Sequence, residues 1–295
     1  MRLVLRSLAL AVAAGTVYAC ADSSPATAPS AARARDAAAS PGHHRQYGTP
    51  VRLGNGRART YVVLDQRDGG RALELGVALD EQAMEGLPAH GHGDGPHGNM
   101  VEYLLPMPAQ GPSAFKFVEL DWNPAGHGVP YEAPHFDFHF YTITRAERDA
   151  IDPANPNYAA EAANAPADAP PFFADPAALL GVPAAAVAIP RMGMHWIDLH
   201  APELQGFLGN PAGYRPFTTT FIYGAWNGRF TFMEPMITRA YIMGKRDAAD
   251  PAARNELIPI TTSPTYPSGN FRPDAYRIAY DEQAREYRIA LVRRD

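Results

Sequence analysis

The chain has 295 residues, 46% hydrophobic and 19% charged, with 29 Pro, 25 Gly and a single Cys. That balance excludes a disordered acidic polymer and a disulfide scaffold, and it allows a sizeable core. The formal charge is −5 and the 26 basic residues form no cluster, so the electrostatic footprint of a nucleic-acid binder is missing.

Met1 to Cys20 reads MRLVLRSLALAVAAGTVYAC, with Arg2 and Arg6 ahead of an apolar run from Leu8 to Ala14 and then small residues. Residues 1–19 have the pattern of an export signal and are too short, and too near the start, for a permanent membrane span. The ending Val17-Tyr18-Ala19-Cys20 resembles the lipobox of bacterial lipoproteins. That resemblance implies lipidation of Cys20, attachment to a membrane through the N-terminal lipid, and, with Ala21 rather than Asp next, a periplasm-facing place on the outer membrane. The alternative is an ordinary secretory leader, a secreted product and an incidental Cys20. With the one thiol in the leader, the mature chain has no disulfide to rely on.

Residues 20–47 are mostly Ala, Ser and Pro with almost no large apolar side chains, which predicts a disordered tether. From residue 48 to 295, short runs rich in Val, Phe, Tyr, Ile and Thr recur between Gly, Pro and Asn, the pattern of one mainly β domain. A single antiparallel β-barrel or β-sandwich with a few short helices is expected. Val51 to Leu53 and Thr60 to Leu64 flank Gly54-Asn55-Gly56 as a hairpin, and Ala72 to Ala78 continues the sheet. Asp80 is placed to cap a short helix from Glu81 to Glu85. Tyr103 to Leu105, Phe115 to Trp122 and His135 to Thr142 read as strands, and Thr144 to Glu147 is a capping box for a helix to about Ile151. Residues 152–190 carry eight prolines and many alanines, predicting a long Pro/Ala-rich surface excursion with a helical turn at Pro176 to Leu180. Asn227-Gly228 joins Phe217 to Ala225 with Arg229 to Glu234 in the strongest hairpin signal. Arg277 to Tyr280 and Tyr287 to Leu291 suggest a last hairpin, with a helix over Glu282 to Leu291 as the alternative.

Six of the ten histidines fall between residues 90 and 139. His90, His92 and His97, with Asp94, sit in a Gly-rich stretch that reads first as a solvated loop, and His43 and His44 are weaker candidates. The segment from Pro134 to Tyr141, PHFDFHFY, is different. In an extended strand His135, Asp137, His139 and Tyr141 share one face, and Phe136, Phe138 and Phe140 form a core face opposite. Two imidazoles around a carboxylate suggest a polar cavity rather than open solvent. His135 and His139 stand about 13 Å apart on a regular strand, so one ion cannot normally take both. Either a bulge brings them together or one of them has a second role.

His195, in Met192 to Asp198, and Glu234, on the same face as Phe230 and Phe232, are candidates to complete the set. An inward carboxylate needs protonation, an arginine such as Arg191, Arg229 or Arg239, or a metal. The candidate metal set is therefore His135, Asp137, His139, His195 and Glu234, with His127, Asp198 and Tyr141 as additional or supporting positions. Mixed His and carboxylate donors suit zinc first, with copper, iron or manganese allowed. No GxSxG elbow, P-loop, GxGxxG turn or HExxH helix occurs.

Taken together, Thr60 to Val62, Gly76 to Pro88, WNPAGH (Trp122 to His127), PHFDFHFY, MGMHWID (Met192 to Asp198), Phe221 to Thr238 and the tyrosine-rich closing hairpin resemble an uncharacterised family of exported bacterial proteins. Its structural prototype is a sigma-E-controlled protein of a thermophile. The resemblance spans roughly residues 48 to 292. It implies a β-rich domain that assembles into a homo-oligomer, a place in an envelope-stress response, and no established reaction. By position His127, His135, Asp137, His139, His195, Asp198 and Glu234 are the polar residues of its signature segments. The resulting expectation is an exported, lipid-anchored β domain holding a divalent metal. The alternatives are a metal-dependent hydrolase or lyase, and a metal-free oligomeric assembly component of the envelope.

Overall fold

The computed structural model describes residues 41–91 and 100–294. The leader, Cys20, most of the expected tether, and His92, Asp94 and His97 lie outside the described residues. Among the described residues, fourteen strands form two antiparallel sheets. The first sheet contains β1 (His43–Tyr47), β2 (Val51–Leu53), β3 (Gly56–Asp65), β4 (Arg71–Asp80), β12 (Asn255–Pro259), β13 (Ala275–Asp281) and β14 (Glu286–Val292), in the order β1-β3-β4-β14-β13-β12, with β2 beside β3. The second contains β5 (Val101–Pro106), β6 (Phe117–Asn123), β7 (His135–Tyr141), β8 (Phe173–Ala174), β9 (Met194–Asp198), β10 (Thr219–Trp226) and β11 (Arg229–Thr238), in the order β5-β6-β7-β11-β10-β9-β8. Both orders are open-ended, so the fold is a sandwich rather than a closed barrel.

Alternation explains the packing. Leu75, Val77 and Leu79 of β4 and Tyr287, Ile289 and Leu291 of β14 join Phe136, Phe138 and Phe140 of β7 and Phe221 and Tyr223 of β10 in one buried cluster between the sheets. Each such side chain contributes roughly 1.5–3 kcal/mol by leaving water. The three phenylalanines of the predicted core face are all fully buried.

Turn chemistry fixes the connections. Asn227 and Gly228 both adopt positive φ, 47° and 79°, which matches the tight turn between β10 and β11 to the twist of its strands. β13 and β14 pair from Ala275↔Val292 to Asp281↔Glu286, so the closing segment is a hairpin and not a helix. Thr144 caps α1 (Arg145–Asp149) through the reciprocal bonds of a capping box with Glu147. Asp80 accepts from the Ala83 N–H and caps the expected short helix, which is a 3-10 turn over Glu81–Met84.

The ordered sheet begins at His43, inside the stretch assigned to the tether, because His43–Tyr47 pairs along the edge of β3. The Pro/Ala-rich excursion is more built than its composition suggests. It contains α2 (Tyr158–Ala163), β8 and α3 (Pro176–Leu180), and Tyr158 is buried with its ring centroid 5.0 Å from that of Trp226. The remaining helices, α4 (Arg239–Asp247) and α5 (Pro251–Arg254), link β11 to β12. No helix among the described residues is long and apolar enough to cross a membrane.

Candidate metal centres on the second sheet

β7 is an interior strand of the second sheet, between β6 and β11, and has no bulge along β6: its pairing runs unbroken from Phe117↔Tyr141 to Asn123↔His135. His135, Asp137, His139 and Tyr141 therefore share the face turned away from the inter-sheet core. That face is nonetheless closed. Tyr131 and Ala133 from the loop before β7 pack with Phe217, Ile222 and Met236 over one part of it. His135, Asp137 and His139 are each at most 5% exposed.

Because β7 stays regular, neither of the two ways of reconciling His135 with His139 around one ion is needed. The two histidines belong to separate clusters, so the single five-residue pocket expected from the sequence is divided into two. In the first, His127 Nε2 lies 3.6 Å from Asp137 Oδ2 and His135 Nε2 lies 3.3 Å from Asp137 Oδ1. In the second, Glu234 Oε2 lies 3.5 Å from His139 Nε2 and 3.8 Å from His195 Nε2.

Local structure aims each contributor. His127 follows Gly126, whose φ of 66° suits glycine and whose Cβ, if added, would stand 2.1 Å from the Tyr131 carbonyl oxygen. Glu234 faces His139 because the β7–β11 register pairs Met233 with Phe140 and Met236 with Asp137. Pro235 lacks an N–H for the ladder between those pairs. His195 comes from β9, opposite Gly224 of β10.

A hydrogen bond fixes the His135 imidazole, and a carboxylate faces that of His139. His135 Nδ1 lies 2.6 Å from the Ala133 carbonyl oxygen, which can only accept, so Nδ1 carries the proton and Nε2 presents a lone pair toward Asp137. His139 Nδ1 lies 3.3 Å from Asp121 Oδ2. Asn123 donates to Asp137 Oδ2 at 2.7 Å and holds that carboxylate in place. His135 Nε2, both ring nitrogens of His139, Asp137 Oδ1, both Asp121 oxygens and Glu234 Oε2 are buried and make no hydrogen bond. Leaving one such group unsatisfied costs about 1–3 kcal/mol.

Charge is unevenly spread over this face. Burial pushes Glu119 up to about 8, helped by the Asp121 charge and opposed by His139 and Arg148. Burial likewise raises Glu234 to about 8 against the pull of His139. Asp121 rises well above the carboxylate range through burial and the nearby Asp137 charge. Asp137 goes the other way: burial raises it, but His135 and His127 outweigh burial and hold it low. Burial lowers His135, whereas at His127 the burial effect is overcome by Asp137 and the value rises.

Glu119 and Asp121 of β6, with Arg148 of α1, went unnoticed in the sequence. The signal was present: Phe117, Glu119, Asp121 and Asn123 alternate on β6 as the polar residues do on β7. Glu119, Asp121 and His139 form a third grouping with metal-ligand spacing. Arg148, 2% exposed, lies 2.7 Å from Glu119 Oε2 and 2.5 Å from Glu102 Oε2, so a fixed positive charge already serves that side. A cation there would meet Arg148, which leaves His139 Nε2 as the better donor and Asp121 as its supporting acceptor.

The arginines considered as partners of Glu234 are engaged elsewhere. Arg191 pairs with Glu102, Arg229 with Glu147, and Arg239 donates to the Met84 carbonyl. Asp198 is not part of either cluster. It alternates with His195 and Ile197 along β9 and falls on the opposite face. Tyr141 stays beside His139, with ring centroids 5.9 Å apart, and its hydroxyl donates weakly to the Arg191 carbonyl at 3.4 Å. His90 is exposed.

Residues 68–122 match the model of the TTHB210-like family, described as the hypothetical protein TTHB210. The match covers a minor part of the chain. It runs from the β3–β4 turn to Trp122, taking in Glu119 and Asp121 but stopping short of His127 and β7. It therefore places this segment with an uncharacterised family and attaches no reaction to it. No curated protein and no solved structure matches the chain.

Proposed function

We propose that this domain binds divalent metal ions in two neighbouring centres, His127–His135–Asp137 and His139–His195–Glu234. The observation that carries the reading is the spacing of the facing donors, 3.3 to 3.8 Å between imidazole nitrogen and carboxylate oxygen in both clusters. Charge-assisted N–H···O contacts close to about 2.7–2.9 Å, as Arg148 does with Glu119 at 2.7 Å. Two ligands bound to one zinc at about 2.0–2.1 Å in a tetrahedron stand about 3.3–3.5 Å apart. The Ala133 carbonyl accepts from His135, and Asp121 stands 3.3 Å behind His139, the places where outer acceptors orient ligating imidazoles.

Two imidazoles and one carboxylate suit zinc first, and copper, iron or manganese next. The leader pattern supports placing the domain at the bacterial envelope through a lipidated Cys20, and the family resemblance supports a homo-oligomer with a stress-related role. A second reading, a metal-dependent hydrolase or lyase, is favoured by one feature: each cluster offers three protein ligands, which leaves a coordination position for water or substrate.

Metal analysis of the purified protein tests the proposal. The expected result is two zinc equivalents, one per cluster, falling to one in Glu234→Gln, with a rise in Tm on adding zinc to chelated protein. At a hundredfold excess over Kd that gain is about 2.7 kcal/mol per site. Absence of bound metal, with no Tm response to zinc, copper or manganese, would overturn it.

A further inference from the structure

We propose that the cleft at the open end of the sandwich binds a saccharide ring, with Phe172 as the stacking platform and Asp198 as the principal hydroxyl acceptor. The cleft has a volume of about 250 Å³ and lies between β8–β10 of one sheet and β12–β13 of the other. It is separate from the metal centres: alternation along β9 turns His195 to one face and Asp198 to the other.

Phe172 is the first sign that this cleft is built for a ligand. Its φ is 68°, a conformation that Gly or Asn ordinarily fills, yet the position carries a phenyl ring that is 62% exposed. The ring stays out of the core and leans on His200, with centroids 4.2 Å apart and planes tilted by 40°. A solvent-facing aromatic at positive φ buries little of its own ring, whereas an apolar ring face beside polar groups suits the C–H face of a pyranose.

The polar groups fit the same ligand. Asp198 is one-third exposed and uses Oδ1 to accept from the His200 N–H at 2.8 Å, which leaves Oδ2 as an acceptor toward the cleft. Thr219 Oγ1 and the Tyr276 hydroxyl form a 3.0 Å pair in which either atom donates, so the pair adapts to a ligand hydroxyl. Thr261 lines the mouth, with its carbonyl already accepting from Tyr223. Among the described residues no Lys or Arg lines the cleft, so a phosphate or carboxylate would find no fixed counter-charge. The volume lies just below the range of ordinary ligand pockets, about 300–1,000 Å³, which limits the occupant to about one ring.

Saturation-transfer NMR on the full-length protein, using methyl glucoside, methyl galactoside, mannose and N-acetylglucosamine with choline as the cationic comparison, tests this. The expected result is transfer to the ring protons of at least one sugar. Affinity should fall about tenfold or more in Phe172→Ala and in Asp198→Asn, which remove the apolar face and the charged acceptor. Phe172→Gly relieves the backbone, so it should keep or raise Tm while binding is lost, a pairing that a purely structural role for Phe172 would not give. No transfer to any sugar, transfer unchanged in both variants, or stronger transfer to choline than to every sugar overturns the proposal.

Discussion

His139 presents one ring nitrogen to each of two buried carboxylates: Nδ1 to Asp121 at 3.3 Å and Nε2 to Glu234 at 3.5 Å. A neutral imidazole has one N–H and one lone pair, so it can donate to only one of them. If Asp121 accepts the proton, the lone pair is left facing Glu234 and His195, where a cation resolves the conflict. Asp121→Asn keeps the shape and an accepting oxygen but removes the ionisable acid. Zinc affinity of the His139 centre should fall about 10–100-fold, while the chelated protein keeps its stability or gains some, because a buried acid has gone. Competition titration against a fluorescent chelator checks this, and unchanged affinity would remove Asp121 from the centre.

The raised carboxyls give the metal-free protein an inverted pH dependence. Glu119 and Glu234, both pushed up to about 8, hold protons when folded across a range in which the unfolded chain, at about 4.3, has released them. The folded state then binds more protons, so stability is fully present below about 4.3 and is lost as pH rises toward 8. The raised His127 acts in the same direction, because its contribution is lost as pH climbs through its folded value. Lowered Asp137 acts oppositely, but only in acid below its unfolded value, and lowered His135 acts oppositely below about 6.5, where the two raised glutamates outweigh it. Chelated protein should therefore melt at a higher temperature near pH 5 than near pH 8.5, and zinc should shrink or reverse the difference by holding its ligands ionised. A Tm that climbs with pH in the chelated protein would contradict this charge assignment.

How much of this was legible in the sequence depended on whether local pattern or long-range register carried the information. The His135–Tyr141 strand, its core and polar faces, the Asn227-Gly228 turn and the Thr144 capping box are local patterns, and all appear in the structure. The convergence of His195 and Glu234 on His139 was guessed from burial logic. The division into two clusters was not, because it depends on how β9, β10 and β11 register against β7. Asp198, given as an additional or supporting position, falls outside both clusters, since membership in a motif does not fix the phase of alternation. Arg148 was invisible because its partners Glu102 and Glu119 are 46 and 29 positions away and meet it only once β5, β6 and α1 are packed.

Arg148 also gives a direct stability test. Its guanidinium, 2% exposed, is held between Glu119, which is fully buried, and Glu102. Arg148→Met removes the buried guanidinium that Glu119 and Glu102 share and should cost about 3–5 kcal/mol in urea unfolding above pH 8, where Glu119 is ionised in the parent. Adding Glu119→Gln to that variant should restore much of the loss, since the second change removes the stranded acid. Two losses that simply add would mean that the pair is not coupled.

Gly224 links the packing of the sheet to the second centre. A Cβ at this position would lie 2.1 Å from the Phe232 ring, and that ring stands edge-on to His139 at 4.8 Å and close to His195 at 5.3 Å between centroids. Gly224→Ala must therefore drive Phe232 into the two imidazoles. Overpacking of this kind costs about 1–3 kcal/mol, and the displaced imidazoles should lose their common focus on Glu234. The expected result is zinc content falling by the share of the His139 centre, with the His127–His135–Asp137 centre retained. Phe232→Leu, combined with Gly224→Ala, shortens the obstructing ring and should recover part of the lost zinc. A Gly224→Ala protein that melts and binds zinc like the parent would show that Phe232 has room to move, and that the second centre does not depend on its position.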